Sequence, residues 1–248
     1  MKDDVIKFIK EEFGGKIDLL IYSLASAMRT DPKDGVTYRS ALKSTKGEIV
    51  GPSINIEKDA MEETTMGVAT PEEIQSTVKV MGGEDWKLWV DALDEAGVLT
   101  DGFKTVAYSY LGPKVTYGIY KDGTIGAAKR DLEHTSDVLN DFLKKKYNGE
   151  AYVSLSKALM TKASAVIPIF PLYAALLYRV MKEKGIHEGT IEQKHRLLTQ
   201  MVYGNNPVID EERRLRPDNW EMREDVQAEV ESLWDKITPE NFKEISDY

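Results

Sequence analysis

The chain has no cysteine in its 248 residues, which removes disulfides, thiolate nucleophiles and cysteine metal sites at once. Histidine is nearly as scarce: His134, His187 and His195 are the whole set. No two of them stand four apart, the spacing that puts two imidazoles on one helix face, so no histidine-rich metal centre is expected. Positive charge is also short. Against 42 Asp and Glu there are 33 Lys and Arg, for a net charge of -9 and a sequence pI near 5.1. That is the wrong sign for a general nucleic-acid or membrane-surface binder. The most apolar stretch, Ala163 to Tyr178, contains Pro168 and Pro171 and is too short to span a bilayer. Neither G-x-G-x-x-G nor G-x-x-x-x-G-K-[ST] occurs, so the usual glycine cradles for nucleotide phosphates are missing from this sequence. The charged, amphipathic opening "MKDDVIKFIKEEF" does not read as a signal peptide. The expectation is an acidic, cytoplasmic globular protein with no nucleic-acid partner and no stable membrane insertion.

What is present suffices for a large core, with 42% hydrophobic and 30% charged residues. Val5, Ile6, Ile9 and Phe13 mark one face of a first helix, stopped by Gly14-Gly15. "KIDLLIYSLAS", "KTVAYSYLG" and "AYVSLSKAL" are continuous apolar runs, the pattern of strands buried on both faces in a parallel sheet. Residues 36–68 read as short extended pieces and loop. Thr70-Pro71-Glu72-Glu73 is a strong helix start, with a capping threonine, proline in the first turn and glutamate three after the cap. That helix runs to Gly82-Gly83, and another from about Asp85 to Ala96, with Gly97 as its stop. Residues 124–147 are helical by pattern, and further helices are expected at about 171–184, 188–203, 222–236 and 239–245. The order predicts one α/β domain over 1–248, a doubly wound parallel sheet with a mainly helical region after residue 160 as a cap.

In "YGIYKDGTIGAAKRDLEHT" (117–135) two tyrosine–lysine pairs are candidates, because a phenol backed by an ammonium can stabilise a developing oxyanion. Tyr117 and Lys121 share a face if the stretch is helical, but Asp122-Gly123 follows at once and signals a turn. Tyr110 and Lys114 have Gly112-Pro113 between them. Nine positions on one continuous helix would turn Tyr120 and Lys129 about half a turn apart. A break at Asp122-Gly123, with Thr124 capping a new helix, would let Tyr120 come round, and Gly126, Ala127 and Ala128 would permit close approach beside Lys129. A half-buried tyrosine and a surface lysine are commonplace, so spacing alone leaves the choice open.

Together with "IDLLIYSLAS", "VMGGEDW", "AYSYLGP" and "TKASAVIPIFPLYAALLYRVMKEKG", the string "YKDGTIGAAKRDLE" resembles the trans-2-enoyl-CoA reductases, the FabV-type enoyl-acyl-carrier-protein reductases of the short-chain dehydrogenase superfamily. The likeness runs through nearly all of the chain. It implies a Rossmann-like fold and NADH-dependent reduction of enoyl-CoA or enoyl-ACP in fatty acid synthesis. It implies Tyr120 as proton donor or oxyanion stabiliser, and Lys129 as the ribose-binding cation that lowers the pKa of Tyr120. Leu24 and Ala25 would line the cofactor, Leu159, Met160 and Thr161 would meet the nicotinamide, and Tyr110 would contact substrate. Residues 162–203 would form the helical substrate-binding region, with segment 163–178 over the acyl chain. The family's first strand and glycine-rich turn are not matched here, and "SLAS" is followed by Ala27-Met28-Arg29 rather than Pro-Arg. These departures suggest a fragment lacking the N-terminal dinucleotide-binding half, or one chain of a divided protein with a partner; the family itself implies a monomer. The alternatives are an inactive acyl-thioester-binding module, and a short-chain-type reductase using Tyr117 and Lys121.

Overall fold

The computed structural model describes residues 1–23, 26–205 and 207–248. It opens with α1 (Lys2–Glu12), which packs Ile6 and Ile9 into the core and leaves Phe8 and Phe13 exposed, their ring centroids 5.6 Å apart. Gly14 and Gly15, at φ of 66° and 80°, turn the chain into β1 (Ile17–Tyr22), a conformation open to glycine at little steric cost. Two antiparallel hairpins follow where the sequence indicated short extended pieces. The first pairs β2 (Met28–Thr30) with β3 (Thr37–Arg39). The second pairs β4 (Ile49–Asn55) with β5 (Ala60–Met66), in register from Ile49↔Met66 to Asn55↔Ala60.

Next comes α2 (Pro71–Met81), on a complete capping box. Glu73 donates its N–H to the Thr70 hydroxyl at 3.2 Å, and its carboxylate accepts from the Thr70 N–H at 2.9 Å. After α3 (Glu84–Glu95), Gly97 at φ 68° ends the turn. β6 (Leu99–Ser109) starts before the apolar run at Lys104 and stops short of Tyr110. The single turn α4 (Tyr117–Tyr120) precedes α5 (Thr124–Tyr147), which is closed by Asn148 in the left-handed region. β7 (Glu150–Leu155), α6 (Phe170–Glu183), α7 (Thr190–Arg196), α8 (Glu224–Trp234) and α9 (Phe242–Ile245) complete the chain.

Segment 163–178 divides, with turns up to Ile169 and α6 from Phe170, close to the expected start at 171; two later helices differ from expectation. Ile169 stands at φ 67°, a strained value for a β-branched residue, held by burial among Met66, Phe170 and Tyr173. The helix expected over 188–203 is α7 followed by a widened π-type turn at Leu197–Val202. The one expected over 239–245 shrinks to α9.

The central sheet is parallel, in the order β1-β6-β7, and strand alternation sends side chains to both faces. Leu20, Tyr22, Phe103, Ala107, Ala151, Val153 and Leu155 meet Ile9, Trp86, Val90, Leu93, Leu132, Leu139 and Leu143 of α1, α3 and α5. Leu19, Ile21, Val106, Tyr108 and Tyr152 meet Leu197, Met201, Val202 and Leu215 on the opposite face. Helical layers therefore cover both sides, as a doubly wound sheet requires. α6 is buried nearly all round, against Val226 and Val230 of α8; it is a core helix rather than a cap. Among the described residues no helix is long and apolar enough to cross a membrane.

Candidate active site at the end of β6

The Asp122-Gly123 break falls where the sequence put it. α4 ends at Tyr120 and a new helix begins at Thr124. Thr124 does not cap it, however. Its hydroxyl donates to the Ala41 carbonyl and accepts from the Lys43 N–H at 3.3 Å, so it ties α5 to the segment beside the hairpins. Gly126 also serves packing, because a Cβ there would collide with the Lys121 carbonyl. The close approach at Gly126 lets the end of α4 lie back against the first turn of α5.

The fold-back brings Tyr120 and Lys129 together. The Lys129 ammonium lies 5.8 Å from the centre of the Tyr120 ring and donates to Ser109 Oγ at 2.9 Å. Tyr110 and Phe170 stand edge-on to Tyr120, with centroids 4.7 and 5.9 Å away. Beside them is a cleft of about 210 Å³, lined in part by Ser109, Tyr110, Tyr120, Gly126, Lys129 and Glu133. Burial pulls the Lys129 ammonium down to about 8, with Glu133 acting the other way. The Tyr120 phenol is not lowered as expected. Burial, then the Glu221 carboxylate, push it well above the usual phenol range, and Lys129 faces the ring while its ammonium is engaged by Ser109.

Of the other pairs, Tyr117 and Lys121 also meet, on the outer side of α4 with Lys121 exposed, while Tyr110 and Lys114 part. Lys121 turns its ammonium over the Tyr117 ring at 4.7 Å, and Lys114 is exposed in a 3₁₀ turn. The Tyr110 hydroxyl points inward and donates to Glu221 Oε1 at 3.1 Å. Leu159 is half-buried, while Met160 and Thr161 are exposed in the turn leaving β7, where Thr161 and Ser164 exchange hydrogen bonds. Leu24 and Ala25 lie outside the described residues. Glu221 was missed from sequence, and nothing around "NWEMRED" marks it. Ser109 lay within the quoted "AYSYLGP" but inside the predicted run, which went on to Gly112; only the observed end of β6 places it at the carboxyl edge of the sheet. Among the described residues no cluster of three or more His, Asp or Glu can hold a metal.

Two larger grooves lie elsewhere. One of about 500 Å³ runs between the β4–β5 hairpin and residues 162–168, and one of about 770 Å³ lies along α2 between Tyr38 and Asp131.

Residues 1–203 match the family model described as the trans-2-enoyl-CoA reductase catalytic region, and residues 209–248 match one described as the enoyl reductase FAD binding domain. The chain is 55% identical to a trans-2-enoyl-CoA reductase [NADH] of Clostridium beijerinckii and 54% identical to an enoyl-[acyl-carrier-protein] reductase [NADH] 2 of Photobacterium profundum. Each alignment covers 100% of this chain and 62% of the relative, so the chain spans somewhat under two thirds of their length. A crystal structure of the Clostridium acetobutylicum trans-2-enoyl-CoA reductase in complex with NADH superposes with a TM-score of 0.96 at 51% identity, over 100% of this chain and 62% of that one.

Proposed function

We propose, since the chain belongs to the trans-2-enoyl-CoA reductase family, that its cleft serves NADH-dependent reduction of the 2,3 double bond of a trans-2-enoyl thioester, carried on CoA or on acyl carrier protein. The observation that carries this reading is the meeting of Tyr120 and Lys129 across the α4–α5 break. When bound, NADH supplies the hydride for the β-carbon.

The chain's own residues manage the charge that then collects on the thioester oxygen. Tyr120 has a raised pKa and no hydrogen bond to another described residue, so it keeps its proton and can donate it to that oxygen. A preorganised donor of this kind contributes about 3–4 kcal/mol in the transition state. Lys129 has one N–H committed to Ser109 and two more to offer a ribose diol. Its donor set and burial fit the nicotinamide-ribose end of the cofactor. At about 210 Å³ the cleft is below the roughly 300–1,000 Å³ of pockets that enclose a whole small ligand, so it fits that end and no more. A flavin does not fit where its name would place it: the cavity against α8 measures about 60 Å³. Tyr110 and residues 159–161 serve as the walls nearest the reacting atoms, and the groove under the β4–β5 hairpin receives the acyl chain along 162–168. On this reading residues 1–248 form one domain with 162–203 as its substrate-binding region, working in the cytoplasm as a monomer or beside a second chain that completes the dinucleotide site.

The test is oxidation of NADH by this chain with crotonyl-CoA, beside Tyr120→Phe. Turnover lost in the variant supports the assignment, and equal turnover in both proteins overturns it. A second reading, acyl-thioester binding without reduction, is favoured by the small cleft and by the share of the relatives' length that is matched. Retained acyl-CoA binding without NADH binding or turnover would select it.

A further inference from the structure

Glu221 lies between the 3₁₀ turn Pro217–Asn219 and α8, with no exposed surface. Its Oε1 accepts from the hydroxyls of Tyr110 at 3.1 Å and Tyr173 at 2.7 Å, and its Oε2 accepts from the Ala158 N–H at 2.7 Å. The Ala158 carbonyl accepts in turn from the Tyr178 hydroxyl at 3.1 Å and the Lys157 ammonium at 3.2 Å. Tyr178 also accepts from the Met160 N–H at 2.8 Å. Gln227 closes the cluster, donating to the Tyr173 hydroxyl at 3.2 Å and to the Glu221 carbonyl at 2.6 Å. One carboxyl group thus joins the residue after β6, the exit of β7 and the first turn of α6.

We propose that Glu221 is a positioning residue of the cleft, fixing in one hydrogen-bonded unit the direction of the Tyr110 hydroxyl and the placement of residues 158–161. The inference rests on the reductase reading of Tyr110 and of 159–161 as walls of the site. An ionised carboxylate only accepts, so Tyr110, Tyr173 and Ala158 must all donate to it and the single Tyr110 hydrogen points inward. A protonated carboxyl group donates to one phenol oxygen, and a Tyr110 so relieved turns its hydrogen outward, toward the cleft and Tyr120. The groups facing Glu221 are Tyr110, Tyr120, Tyr173, Tyr178, Lys157 and Asp218. Burial among them holds its carboxyl up at about 7, with the Tyr173 and Ala158 hydrogen bonds opposing. Both states are therefore populated near neutral pH.

The full chain carrying ring-labelled tyrosine tests this by NMR without cofactor or substrate, the Tyr110 signal being assigned by its loss in Tyr110→Phe. The Tyr110 signal is expected to titrate with a midpoint near 7 in the wild type and to stay flat in Glu221→Gln. A flat wild-type signal, or the same titration in Glu221→Gln, overturns the proposal. If Glu221→Gln does not fold, Tyr173→Phe removes one donor from the same oxygen and should move the midpoint upward; an unmoved midpoint overturns it equally. In crotonyl-CoA reduction, kcat of the wild type should follow the same midpoint. Glu221→Gln should lose that dependence and about tenfold in kcat, the scale of a disrupted buried hydrogen bond; an unchanged kcat and pH profile counts against the proposal. Because the NMR arm needs no turnover, an inactive chain with a titrating Tyr110 would sink the reductase reading and leave the Glu221–Tyr110 link standing.

Discussion

At Lys129 burial holds the ammonium at about 8, below the ordinary 10.5. Between those values the unfolded chain binds a proton that the folded chain has released, so this residue makes stability rise with pH. Glu221 acts in the opposite sense. Its carboxyl is raised from 4.5 to about 7, the folded chain holds the extra proton, and stability falls as pH rises across that window. Denaturant unfolding over a pH series should therefore show Lys129→Met losing ground to the wild type above about pH 8, and Glu221→Gln gaining on it between 4.5 and about 7. Each slope is at most about 1.4 kcal/mol per pH unit; parallel curves for either variant would refute the corresponding burial. Of these two residues only Lys129 was legible in the sequence. It and Tyr120 lie on either side of one turn signal, whereas the partners of Glu221 stand 111, 63 and 48 residues away along the chain. No local pattern reports a contact of that kind.

The secondary-structure elements were readable where one short motif decides them. The capping box at Thr70 and the left-handed Gly97 fix helix ends by backbone hydrogen bonding, which is local chemistry. Thr70→Ala should cost about 1 kcal/mol in urea unfolding, and a loss well below that would mean the box contributes little. The sequence misled where packing overrides propensity. The turn after Arg196 widens to seat Leu197, Met201 and Val202 against the sheet, where one continuous helix over 188–203 was expected. The α4–α5 break, by contrast, was legible in Asp122-Gly123, and close packing at Gly126 keeps it folded back. Gly126→Ala should cost about 2 kcal/mol or more by driving a methyl into the Lys121 carbonyl. It should also part Tyr120 from Lys129, so that any turnover falls together with the melting temperature; a variant as stable as the wild type would show that the approach is looser than described.

For the molecule as a whole, the parallel sheet and its two helical layers were anticipated from three continuous apolar runs, because only burial on both faces tolerates such runs. Less foreseeable was how unevenly the sheet is finished. β7 has the 209–215 segment bridged along it through Ser154↔Leu215. The outer side of β1 pairs with no described strand, and α1 and its C-cap expose Phe8 at 55% and Phe13 at 61%. Where these 248 residues stand alone, an unpaired strand edge is a template for pairing between molecules, and exposed phenylalanines add apolar surface. Sedimentation velocity should show weight-average mass rising with concentration, and Phe8→Glu with Phe13→Glu should suppress the rise; a mass independent of concentration would contradict this. The same edge gives a stored solution a history. Addition of strand to strand is slow to nucleate and self-propagating once begun, so a fresh preparation should stay clear through a lag that a trace of aged material abolishes.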